Sequence, residues 1–249
     1  MHSDIITHQD FLFVDKFWLK FYSQDWIWFP RTGIYLYEYI TKNTFIEKYK
    51  NVSLIVDIWT WKIWFLANIL GKLFISARVV WTEFNEEYFV NLKYNIFSEN
   101  VSFLKTDPFP FLNAGVDLFI SNPPQMPTPH LISIHDSWGF DGLDIFENIL
   151  KSVSLNKSKN GTILVVNLFD FLWVVEDFGR KRSVKKLISE YGWNVINIST
   201  IERKIRKWWE TDNNLNHIRK IAPEYILPEL DSHIMYILEI YFENNEKNY

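Results

Sequence analysis

The stretch Ser121-Asn122-Pro123-Pro124-Gln125 closes the apolar run Val116 to Ile120. A short apolar run that meets polar residues and two prolines reads as a buried strand ending in a stiff loop. Proline has no N–H, so Pro123 and Pro124 offer carbonyl acceptors and no backbone donors. The Asn122 amide can both accept and donate. A loop this rich in acceptors can grip the N–H groups of a planar nitrogen and aim its lone pair at an electrophile.

Outward from this strand, apolar runs alternate with helical patterns. Upstream, a helix is predicted over Ile34–Lys48, then a strand over Leu54–Ile58 and a helix over Lys62–Leu73. A strand at Arg78–Thr82 follows, then a helix over Asn85–Phe97 with Asn85 as its cap, and a strand at Val101–Leu104. Downstream come a helix over Asp141–Leu155, a strand at Thr162–Val166 and a helix over Val184–Tyr191 closed by Gly192. Strands at Val195–Thr200 and Ile234–Phe242 complete the pattern, separated by a polar, basic segment from Glu202 to Asp231. Strands alternating with helices predict a parallel, doubly wound sheet, and the closing pair predicts an antiparallel last strand. Residues 1–28 are expected to be a short lead-in that can hold a hairpin. Residues 29–243 form the main domain and 244–249 a frayed tail.

The 249 residues are 48% hydrophobic and 22% charged, with a net charge of −4, which suits one soluble globular domain and speaks against non-specific nucleic-acid binding. With no cysteine, disulfides, thiolate catalysis and cysteine-based zinc sites are excluded, and a cytoplasmic location is expected. The N-terminal residues show no basic segment leading into an apolar core, and the apolar stretch Ile63–Ile75 is too short to span a bilayer. His130 and His135 stand five apart with no second pair nearby, so no metal is expected. The basic, aromatic run Arg203–Trp209 reads first as a solvated face and second as an RNA contact.

Four predicted strand ends carry chemistry. Asp57-Ile58-Trp59-Thr60-Trp61-Lys62-Ile63-Trp64 follows the first, Glu83 the second, Thr106-Asp107-Pro108-Phe109 the third, and the Asn-Pro-Pro-Gln loop the fourth. Ligands in doubly wound sheets sit at these carboxyl ends. The ordered set resembles the class I S-adenosylmethionine-dependent methyltransferases that act on amide or exocyclic amino nitrogens. Within them it resembles the HemK-like protein-glutamine methyltransferases. Phe29-Pro30-Arg31 resembles the segment that precedes that family's fold, and Trp138-Gly139-Phe140-Asp141-Gly142-Leu143-Asp144 resembles its G-G-x-D-G-L-D segment.

The resemblance implies a Rossmann-like, seven-stranded α/β fold, mostly parallel, with an antiparallel last strand. It implies S-adenosylmethionine as cofactor, held by Asp57, Trp59, Thr60, Trp61, Glu83, Asp107 and Asn122. It assigns Asn122, Pro123, Pro124 and Gln125 to the methyl acceptor. The implied reaction is methylation of a protein glutamine side chain, with a release factor as the typical partner. An RNA base or a small amine is the alternative acceptor, and a non-catalytic binding protein on the same fold is the alternative class.

Two departures stand out. Gln125 occupies the place of the family's stacking aromatic. Trp59 and Trp61 occupy the places of glycines that let the backbone approach the cofactor. Tryptophan numbers 12 and glycine only 8, whereas average usage would give roughly 17 glycines. Three readings follow: core tryptophans in a fold that binds no cofactor, a decayed enzyme kept as a binding module, or a gene in which UGA means glycine. With glycine at 59 and 61 the turn becomes D-I-G-T-G-K-I, and with glycine at 81 the second strand reads V-V-G-T-E.

Overall fold

The computed structural model describes residues 5–7, 11–17, 19–22, 31–58, 65–83, 98–105, 112, 114–123, 125, 141–172, 174–175, 181–204, 212–213, 216, 219–220 and 232–243. Trp59, Thr60, Trp61, Trp64, the helix expected at 85–97, Asp107, Pro124, His130, His135 and the tail lie outside the described residues. The chain divides into two compact units, residues 1–122 and 123–249.

The first unit opens with strands β1 (Ile5–Thr7), β2 (Phe11–Val14) and β3 (Leu19–Tyr22), an antiparallel sheet in that order. The lead-in thus has one strand more than a hairpin. A 3-10 turn at Asp15–Phe17 ties it to the next element: Lys16 Nζ donates to the Thr41 carbonyl at 3.2 Å, and Phe17 meets Tyr37 edge-on. The helix expected over 34–48 is two helices, α1 (Arg31–Ile40) and α2 (Asn43–Tyr49). Thr41 Oγ1 donates to the Tyr37 carbonyl at 2.9 Å, and Lys42 turns extended at φ −67°, ψ 137°. The Thr41 N–H bonds the same carbonyl at 3.0 Å, so the ladder of α1 is complete up to the break.

Four parallel strands follow in the order β6-β5-β4-β7: β4 (Leu54–Ile58), β5 (Arg78–Glu83), β6 (Val101–Lys105) and β7 (Leu118–Ser121), with helix α3 (Phe65–Leu73) after β4. Ile55, Val56, Val79, Leu118 and Phe119 are buried, as expected where a parallel sheet is covered on both faces. Two polar residues pin the opposite, amino end. Asp117 Oδ2 accepts the N–H groups of Ser53 and Leu54 at 2.7 and 3.1 Å, setting where β4 starts. Asn100 Nδ2 lies within 3.2 Å of the Gly71, Phe74 and Ala77 carbonyls, closing the end of α3.

The second unit contains α4 (Asp144–Leu155), β8 (Thr162–Phe169), α5 (Val184–Glu190), β9 (Asn194–Lys204) and β10 (Ser232–Phe242). Ser183 Oγ caps α5 by accepting the Lys186 N–H at 3.1 Å. The helix ends at Gly192, whose φ of +69° and the Trp193 N–H to Ile188 carbonyl bond make a Schellman turn. β10 lies antiparallel to both β8 and β9. The strand order of the whole sheet is β6-β5-β4-β7-β8-β10-β9, seven strands, mostly parallel, with β10 reversed. Among the described residues no helix is long and apolar enough to cross a membrane.

Candidate active site

The carboxyl ends of β4, β5 and β7 are level. Ile58 is in register with Thr82 on one side and Ser121 on the other. Two hydroxyls secure this row: Ser121 Oγ donates to the Ile58 carbonyl at 2.9 Å, and Thr82 Oγ1 reaches the Asp57 carbonyl at 3.4 Å. One residue further on stand Glu83, the last of β5, and Asn122, the first after β7. Asp57 lies one residue before the row.

Asp57 is 0% exposed, Glu83 2% and Asn122 9%. Asp57 pairs in register with Trp81, so Glu83, two residues beyond Trp81, projects to the same face as Asp57. Two carboxyl groups on one face of a buried strand edge, two positions apart along it, are costly unless donors meet them. Trp81 is buried in the same row, its ring 4.7 Å from Phe103. It is the one tryptophan of the glycine question that the described residues include, and it is packed as core.

In the second unit, Pro123 is buried and Gln125 is 4% exposed. Gln125 Nε2 donates to the Asn167 carbonyl at 2.9 Å and the Pro123 carbonyl at 3.3 Å, while Oε1 accepts the Phe169 N–H at 2.6 Å. The side chain is therefore turned onto the end of β8.

Two features here escaped the sequence reading. Arg182, just before α5, gathers three carboxylates. Its Nη1 bonds both oxygens of Asp141 at 3.1 and 3.0 Å, and its Nη2 bonds Asp144 and Glu147, each at 2.9 Å. Asp141 Oδ1 also accepts the Leu143 N–H at 3.1 Å. The Asp141-Gly142-Leu143-Asp144 segment is thus fastened to the loop that enters α5. The hydrogen bond from Lys151, joined by Arg182, holds the Glu147 carboxyl below the usual range.

The second feature is His233, near the start of β10. It is 2% exposed, with its ring 4.9 Å from Phe169. Burial, and then the Arg203 charge across the ladder, push its pKa down to about 4, so its imidazole is neutral at pH 7. Neither signal was available locally: one arginine among 26 basic residues and one histidine in an apolar strand look ordinary. Among the described residues no group of three or more His, Asp or Glu could hold a metal ion.

No family model matches the chain, and no curated protein matches it. Solved structures do. It is similar to TYW2 from M. jannaschii in complex with AdoMet, with a TM-score of 0.53 and 12% identity over 96% of this chain and 89% of that one. It is similar to StiE O-MT residues 942–1257, with a TM-score of 0.50 and 9% identity over 86% and 74%. It is also similar to a precorrin-6y C5,15-methyltransferase from Geobacter metallireducens, with a TM-score of 0.47 and 15% identity over 82% and 90%. At these identities the likeness to the first two concerns the fold alone: a Rossmann-like α/β sheet.

Proposed function

We propose that the chain is an S-adenosylmethionine-dependent methyltransferase that acts on nitrogen, with a protein glutamine side chain, such as that of a release factor, as the acceptor. The observation that carries this reading is that Asp57, Glu83 and Asn122 are all buried at the carboxyl ends of three adjacent strands. The two carboxylates fit the cofactor's ammonium and ribose hydroxyls, all of them donors. When bound, S-adenosylmethionine supplies a methyl group made electrophilic by its sulfonium.

The chain's own residues do the rest. An amide nitrogen is a weak nucleophile because its lone pair is delocalised into the carbonyl. The Asn122 side-chain oxygen and the Pro123 carbonyl accept its two hydrogens and fix its direction. Such positioning is worth several kcal/mol, up to about 7–11 in the best intramolecular cases. No strong base is required, since the proton leaves after the methyl arrives. The proposed setting is the cytoplasm, and Asp107 and Thr60 complete the proposed cofactor contacts.

A non-catalytic binding protein is the second reading, favoured by Trp59 and Trp61 where the resemblance places glycine. Calorimetric titration with S-adenosylmethionine tests both. Micromolar binding, about −8 kcal/mol, supports the enzyme. Binding absent with tryptophan and restored by glycine at 59 and 61 leaves the residues of the native protein as the question. The mass of the native peptide spanning 59–64 then separates recoding from decay. Binding absent from both forms sinks the cofactor assignment.

A further inference from the structure

The side-chain amide of Gln125 has two hydrogens, and both are taken by main-chain carbonyls, those of Asn167 and Pro123. Its oxygen takes the Phe169 N–H. In a parallel ladder a residue gives its N–H to one carbonyl and accepts an N–H from two residues further along the partner. Gln125 does this with residues 167 and 169, so its side chain stands in for a peptide unit laid along β8. The group is buried, and any bond left unmade would strand a buried main-chain donor or acceptor.

We propose that Gln125 is a positioning residue: its amide docks the Pro123–Gln125 turn on the end of β8 and sets the direction of the Pro123 carbonyl, without touching the methyl acceptor. A carbonyl has two lone pairs, so one of Pro123 is held by Gln125 and the other is left to aim at a donor. The use made of that carbonyl rests on the methyl-transfer reading; the docking on β8 does not.

Two variants test it. Gln125→Met keeps length and volume and removes every hydrogen bond. Gln125→Glu keeps the shape and the acceptor for Phe169 but cannot donate to the two carbonyls. Hydrogen exchange at the Phe169 amide should quicken about tenfold or more in Gln125→Met relative to Ile237 in β10. With tritiated-methyl S-adenosylmethionine and a glutamine-bearing release factor as probes, both variants should lose about tenfold or more in kcat. The acceptor KM and the cofactor Kd should stay within about threefold. An acceptor KM that rises with kcat intact would mean direct contact and overturn the proposal, as would unchanged Phe169 exchange in Gln125→Met. If the wild-type protein methylates nothing, the methyl-transfer reading falls and Phe169 exchange alone judges the docking. If Gln125→Met does not fold, Gln125→Glu decides by kcat, with Phe169 protection retained as the control.

Discussion

The carboxyl edge of the first unit gathers three polar side chains, each at the end of its own apolar run: Asp57 within β4, Glu83 closing β5 and Asn122 just after β7. The corresponding edge of the second unit is made from residues brought together across long separations. Gln125 bonds to residues 167 and 169, His233 packs on Phe169, and the Asp170 carboxylate accepts the Ile234 N–H at 2.8 Å. The first edge gathers two acids and an amide. The second uses its polar groups largely on its own main chain. The contrast teaches that the polar groups of the second edge keep a loop and a strand end in place, while those of the first are the ones the proposed function calls on.

The contrast breaks most sharply at Asn122. Asn122→Ala should abolish turnover, a loss of about a thousandfold or more if positioning is its task. Cofactor affinity should stay within about tenfold, because one neutral hydrogen bond contributes roughly 0.5–1.5 kcal/mol. Radiometric turnover and calorimetry on one preparation check both halves, and unchanged turnover would remove the case for nitrogen chemistry.

Glu83→Ala should do the reverse. Hydrogen bonds to a charged group contribute about 1.5–3 kcal/mol, so S-adenosylmethionine should bind roughly ten- to a hundredfold more weakly. Full affinity in this variant would show that the first edge does not hold the ligand.

The second edge should respond to acid. His233 has its pKa lowered from 6.5 to about 4, so folding favours the neutral ring. That contribution is complete above the unfolded value and is lost as pH falls from 6.5 toward 4, to a total of about 3 kcal/mol. Unfolding in urea across this window should show the loss, and His233→Gln should flatten the profile. A profile unchanged by the substitution would move the acid sensitivity elsewhere.

The smallest effect is expected at Arg182, whose side chain is 36% exposed. Exposed ion pairs contribute little, so Arg182→Ala should cost about 1 kcal/mol, or a Tm lower by roughly 2–4 °C. Arg182→Lys should recover only part of it, because an ammonium cannot reproduce the guanidinium fork. Calorimetric melting separates the three forms.

The alternation of apolar strands with helical spacing was legible because both periods are local properties of the chain. β4, β5, β7 and β10 fall within a few residues of where the pattern placed them. The strand-end positions of Asp57, Glu83 and Asn122 were legible for the same reason: the end of an apolar run marks the end of a strand. The split after Thr41 was not, since no proline or glycine marks the place where Lys42 turns extended. Nor was the service of Gln125. Read alone, it stands in an acceptor loop, but 42 and 44 residues later the chain returns with a carbonyl and an N–H that match its amide. A side chain's partners depend on distances the fold creates, and hydrogen bonds reach only about 3 Å. The sequence by itself determined the order of elements and the ends at which polar residues gather. The tertiary structure alone decided that Asp57 and Glu83 share a face, that Gln125 is spent on β8, and that His233 is buried neutral beside Arg203.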